Sequence, residues 1–159
     1  MIEITRRLEG HGKPELRLTL PFELRQKSRL RTHVDDGEDA WLILPRGEIL
    51  RGGDLLAAAD GRIVEVVSQP ERVLHVQCDT PEALARAAYH LGNRHVPVEV
   101  GEGYLRLAAD HVLEHMLIGM GARVTVMEAP FEPEAGAYVG HTHGSEHRMG
   151  RIHEYGKTA

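Results

Sequence analysis

The chain has 159 residues, a net charge of −5 and 27% charged residues, enough for one medium domain or two small ones. That balance leaves no basic footprint for nucleic acid or an anionic membrane surface. Met1-Ile-Glu-Ile-Thr-Arg-Arg7 lacks the apolar segment of a signal peptide, and no run approaches the roughly 20 apolar residues of a membrane span, so a cytoplasmic protein is expected. Cys78 is the single cysteine, which rules out a disulfide framework and a thiolate cluster.

The first half has the texture of short strands. Leu16, Leu18 and Leu20 alternate with Arg17 and Thr19 until Pro21 ends the pattern. Trp41-Leu-Ile-Leu44 is a short apolar run closed by Pro45-Arg-Gly47. Gly52-Gly53 and Asp60-Gly61 punctuate further segments, and Ile63-Val-Glu-Val-Val67 is rich in β-branched residues. Short strands with tight turns predict a small β-barrel or sandwich over residues 1–70. Its Arg and Glu residues read as the solvated faces of those strands.

From residue 71 the pattern changes to α+β. Arg72 to Gln77 reads as a strand. Thr80 is a good N-cap, Pro81 suits the first helical position, and Leu84, Ala87, Ala88 and Leu91 recur at helical spacing before a stop at Gly92. Pro97–Gly101 and Tyr104–Leu107 read as two strands, Asp110 caps a second helix running to about Gly121, and Arg123–Glu128 alternates as a last strand. The order β-α-β-β-α-β over residues 71–135 is the ferredoxin-like arrangement. Residues 136–159 form a flexible His-containing tail, too poor in apolar residues to bury a core.

That tail carries His141, His143, His147 and His153, four of the chain's eleven histidines. Imidazole is the commonest ligand for borderline divalent metals, and nitrogen ligands suit nickel, copper, zinc or cobalt. On the second helix, residues placed at 100° intervals put Val112, Leu113, Met116 and Met120 on the core side with Leu117 at its edge. His111, Glu114, His115 and Ile118 fall on the opposite face, toward solvent or another chain. A lone surface histidine is more often simply solvated, but a second set of imidazoles in the tail changes that balance. His111 from each of two chains meeting at a two-fold axis, joined by tail histidines, would make a shared site. His111-Val-Leu-Glu114-His115 also fits the H-x-x-E-H pattern of some zinc metallopeptidases, with Glu114 as general base. The short remainder of the chain offers no helix for the further carboxylate ligand that such enzymes use. His90 and His95 read as residues of a helix-to-strand turn, satisfied by backbone carbonyls, and His11, His33 and His75 as surface residues.

Several segments together resemble the urease accessory protein UreE family. They are Leu50-Arg-Gly-Gly-Asp-Leu55, Ala88-Tyr-His-Leu-Gly-Asn-Arg-His-Val-Pro-Val98, Asp110-His-Val-Leu113, Ala129-Pro-Phe-Glu-Pro-Glu-Ala-Gly-Ala-Tyr138 and the closing Gly140-His-Thr-His-Gly144. The resemblance implies a nickel metallochaperone for urease metallocentre assembly, not an enzyme, working as a homodimer through its C-terminal domains. It implies His111 as the central Ni2+ ligand, met by its partner copy, with His141, His143 and His153 as tail ligands. It also implies as partners the pathway's accessory GTPase, UreG, and the urease apoprotein complex. Thr125 and Met127 stand where some relatives carry an extra histidine pair, so no accessory site is expected there. Imidazoles alone do not separate Ni2+ from Zn2+ or Cu2+, which could also bind in vitro. The alternative function is passive buffering of divalent metals by the tail.

Overall fold

The computed structural model describes residues 1–136, so His141, His143 and His153 lie outside the described residues. The first half contains β1 (Ile2–Leu8), β2 (Leu16–Leu20), α1 (Phe22–Arg25), β3 (Arg29–His33), β4 (Asp39–Ile43), β5 (Leu55–Ala58) and β6 (Ile63–Ser68). The six strands form one sheet in the order β2-β6-β5-β1-β4-β3. Alternate residues point inward: Ile2 and Ile4, Leu18 and Leu20, Ala40 and Leu42, Leu56 and Ala58, Val64 and Val66 make one buried cluster. The sheet curls until it is nearly closed, like a barrel. Asp35, in the turn between β3 and β4, ties one edge strand to the other. Its N–H donates to the Arg17 carbonyl at 2.8 Å, and its carboxylate accepts from the Thr19 N–H at 3.0 Å and hydroxyl at 2.7 Å.

The second half contains β7 (Pro70–Gln77), α2 (Pro81–Asn93), β8 (Glu99–Gly101), β9 (Tyr104–Ala108), α3 (His111–Gly119) and β10 (Arg123–Pro130). Its four strands pair antiparallel throughout in the order β10-β7-β9-β8. Both helices pack on one face, where Leu74, Val76, Leu105 and Leu107 meet Ala87 and Leu91 of α2 and Leu113 and Leu117 of α3. Thr80 caps α2 as its sequence predicts, accepting from the Ala83 N–H at 3.1 Å. The helix does not stop at Gly92. It runs on to Asn93, and His95 takes the left-handed conformation that closes it, φ 57°, with Val96 N–H bonded to the Leu91 carbonyl.

A third cluster joins the halves: Phe22 of α1 packs with Val73, Ala129 and Phe131, the two phenyl rings edge to face at 5.6 Å. Beside it the expectation that the arginines of the first half are solvated fails for one of them. Arg25 is fully buried. Its Nε donates to the Leu20 carbonyl at 3.1 Å, one Nη to the Leu50 carbonyl at 3.0 Å and to Glu132 at 3.1 Å, and the other Nη to the Phe131 carbonyl. A guanidinium tolerates burial only when its donors find acceptors. These acceptors come from both halves of the chain, including the segment that follows β10.

Glu132 also accepts from Arg51 at 3.1 Å and from the Gly52 N–H at 3.0 Å. Partial burial works against its charge, but those hydrogen bonds and the positive charges of Arg25 and Arg51 outweigh it and hold the carboxyl below its ordinary value of 4.5. A depressed folded value means that this stabilisation is complete above the unfolded value and is lost as pH falls through the folded one. Glu132→Gln is therefore expected to flatten the acid side of the stability profile, checked by urea midpoints between about pH 3 and pH 7. An unchanged acid slope would show that Glu132 does not link the halves through its charge.

Candidate metal centre

The chemistry predicted for the second helix depends on which side chains α3 turns outward. Asp110 starts the helix from extended backbone, and its carboxylate accepts from the Leu113 N–H at 2.9 Å. Gly121 ends it with φ 88°, a conformation that costs a residue with a Cβ, and Ala122 N–H bonds back to the Leu117 carbonyl. Leu113 and Leu117 are the buried anchors, with Met116 half-buried between them. The inward stripe is therefore narrower than the helical wheel predicts. Val112 is 68% exposed and Met120 39%. Val112 lies 100° from Leu113 and misses the sheet, while Met120 sits beyond the last turn.

His111 and His115 are exposed as expected, Ile118 is 52% exposed, and Glu114 is half-buried. Together with Val112 these four residues line one open concavity of about 540 Å3. His111 also borders a smaller hollow of about 220 Å3 shared with Asp110, Glu114 and Val126. Imidazoles flanked by exposed aliphatic side chains form a surface suited to a metal and to a second protein face. Among the described residues no group of three or more His, Cys, Asp or Glu is placed to hold a metal ion.

The other histidines divide differently from their sequence reading. His75 is not a free surface residue. It is half-buried on the helix-free face of the second sheet, where Nδ1 accepts from Arg106 Nε at 3.1 Å and the ring packs on Tyr104 at 4.8 Å. Desolvation, then the charge of Arg106, lower its pKa, only partly offset by Glu99. Arg106 in turn lies over the Tyr104 ring and 3.6 Å from Glu99. Nothing in the spacing of His75 along β7 signals this cluster, which depends on register with β9. His90 and His95 are exposed at the end of α2. His95 serves the turn through its backbone, not through a carbonyl bonded to its ring.

Comparison with known proteins decides the family. The model of the UreE urease accessory protein N-terminal domain matches residues 2–69, and that of its C-terminal domain matches residues 71–156. The chain belongs to the UreE family of urease accessory proteins. A UreE of Azotobacter vinelandii is 48% identical over 163 aligned positions that cover 98% of both chains. One from Nitrosospira multiformis is 46% identical over 155, covering 96% of this chain and 88% of its own. A third, from Ralstonia nicotianae, is 56% identical over 131, and there the match covers 82% of this chain but 62% of the relative's length. No helix among the described residues is long and apolar enough to cross a membrane.

Proposed function

We propose that this chain is a dimeric nickel metallochaperone that collects Ni2+ and hands it on for assembly of the urease metallocentre, without catalysing a reaction itself. The observation that carries the reading is His111, exposed in the first turn of α3 between exposed Val112 and Ile118, in a chain of the UreE family. Two copies meeting through α3 bring two His111 imidazoles to one axis, and His141, His143 and His153 complete the coordination. The chain's division into residues 1–70, 71–135 and 136–159 belongs to the same reading, as does a ferredoxin-like second domain, consistent with its interleaved antiparallel strand order. The first domain then serves partner contact, toward the accessory GTPase UreG and the urease apoprotein complex in the cytoplasm.

Delivery needs a site tight enough to collect the ion and open enough to release it. Exposed imidazoles at a subunit face meet that need, because ligands can be exchanged one at a time. Nickel is the cargo expected from the family, since ligand type alone would not select it over Zn2+ or Cu2+. Calorimetric nickel titration of the full chain, with mass measured alongside, is expected to show half an equivalent per chain at the tightest site. His111→Ala should abolish that step. A chain that keeps it, and loses binding only when residues 141–159 are removed, would be a passive metal buffer. Hydrolysis that Glu114→Gln abolishes would support the metallopeptidase alternative instead.

A further inference from the structure

A site built on His111 alone leaves His115 without a task, yet the two side chains are placed as a pair. They are four residues apart on α3, which puts their Cβ atoms about 5–6 Å apart on one helix face. Two imidazoles at that spacing can each bring a ring nitrogen to roughly 2.0–2.1 Å from a single borderline divalent ion, the geometry by which i,i+4 histidines bind zinc on other helices. Both rings are exposed, and both line the same open concavity. Within the described residues neither ring is hydrogen-bonded or ion-paired. The backbone between them is fixed from three sides, by the Asp110 cap, the buried Leu113 and Leu117, and the Gly121 turn.

We propose that His111 and His115 of one chain form a bidentate clip for a borderline divalent cation on the outer face of α3. The inference rests on the reading above that His111 is a metal ligand, and it adds a second ligand from the same helix. Among the described residues, the other histidines do not match this arrangement. His90 and His95 are five apart, and His95 has left the helix for the left-handed turn. His75 is committed to Arg106. Of the neighbouring carboxylates, Asp110 is held by its cap bond, while Glu114 lies half-buried in the same concavity.

Because the helix holds the two rings in place before the ion arrives, the second imidazole binds at a high effective concentration with little ordering cost. Two copies of the clip facing across a two-fold axis would offer four imidazoles before any tail residue joins. The ion could then stay with one chain's clip while the partner's ligands or the tail let go. That gives transfer an intermediate that a single histidine per chain lacks.

The test is nickel titration of the full chain, with NiCl2 alone as the probe, for the wild type, His115→Ala, His115→Asn, His111→Ala and the double variant. Circular dichroism and mass are followed in parallel. Both His115 variants are expected to bind nickel on the order of 10²-fold more weakly at unchanged stoichiometry and mass. X-ray absorption should count fewer imidazoles per nickel in either variant. Adding His115→Ala to His111→Ala should cost nothing further, because the two residues serve one ion. Wild-type affinity in His115→Ala, with binding lost in His111→Ala, would overturn the clip and leave the proposed function standing. Losses that simply add in the double variant, or that follow dissociation of the dimer, would also overturn it. Full nickel binding in His111→Ala would overturn both readings.

Discussion

Arg25→Ala is expected to destabilise the chain by about 3–5 kcal/mol, the range seen when one partner of a buried, hydrogen-bonded charge network is removed. The side chain has no contact with water, and its donors satisfy the carbonyls of Leu20, Leu50 and Phe131 together with Glu132. Truncation removes a donor from the Leu50 and Phe131 carbonyls and from that of Leu20, which keeps the Gln69 N–H at 3.0 Å, and it takes one positive charge from Glu132. It also opens a void beneath the Phe22 ring, over which the guanidinium lies at 5.6 Å. Lysine should rescue little, since one ammonium on a flexible stem cannot address acceptors spread around a planar fork. Urea unfolding checks the magnitude. Because the acceptors come from both halves, the variant should also lose cooperativity, with the two sheets melting at separable midpoints. A single transition shifted by less than about 1 kcal/mol would show that the buried arginine is not what couples the halves.

The second large effect concerns α3. If two copies meet through α3 as proposed, Val112→Glu combined with Ile118→Glu is expected to raise the dissociation constant of that dimer by on the order of 10³-fold or more, because like charges set against each other in an interface cost several kcal/mol. Two-fold symmetry in the proposed dimer would double each substitution, setting one chain's pair of new carboxylates against the other's. Both side chains are more than half exposed in the single chain, at 68% and 52%, so the fold itself should survive. Sedimentation velocity at micromolar concentration should report a monomer, and the half-equivalent nickel step should disappear although His111 is untouched. A doubled mass that persists in the variant would place the subunit contact somewhere other than α3.

Much of the second half was legible because its signals are local. Thr80 with Pro81, and Asp110 with His111, mark helix starts by the chemistry of the cap, and both caps are made as written. The outward position of His111 and His115 follows from 3.6-residue periodicity alone. The first half was harder. β1 carries Arg6 and Arg7 beside each other at a register shift in its pairing with β5, which breaks the alternation that would announce a strand. β3 reads Arg-Leu-Arg-Thr-His and has no fully buried residue, as an edge strand can. Nothing in the sequence distinguishes Arg25 and His75 from solvated residues, because burial of a polar side chain is decided by partners far away in sequence. Arg25 finds Glu132 across 107 positions, and His75 finds Arg106 across 31. The helix-to-strand turn at His95 is visible in the sequence, but its left-handed backbone is not, as glycine is the commoner residue in that conformation and Gly92 stands nearby.

The Asp35 turn has a consequence for how copies of this chain can meet. By linking β2 to β3 it occupies backbone groups that an edge strand would otherwise offer to a neighbour. In the second sheet the chain guards its own outer margin, where Glu134 N–H bonds to the Val98 carbonyl at the start of β8 at 2.8 Å. Strand addition, which leads to open-ended stacking, is therefore discouraged along β2 and at the start of β8. For the proposed metal carrier, which would have to meet its partners and part from them, closing that route to stacking keeps such contacts reversible.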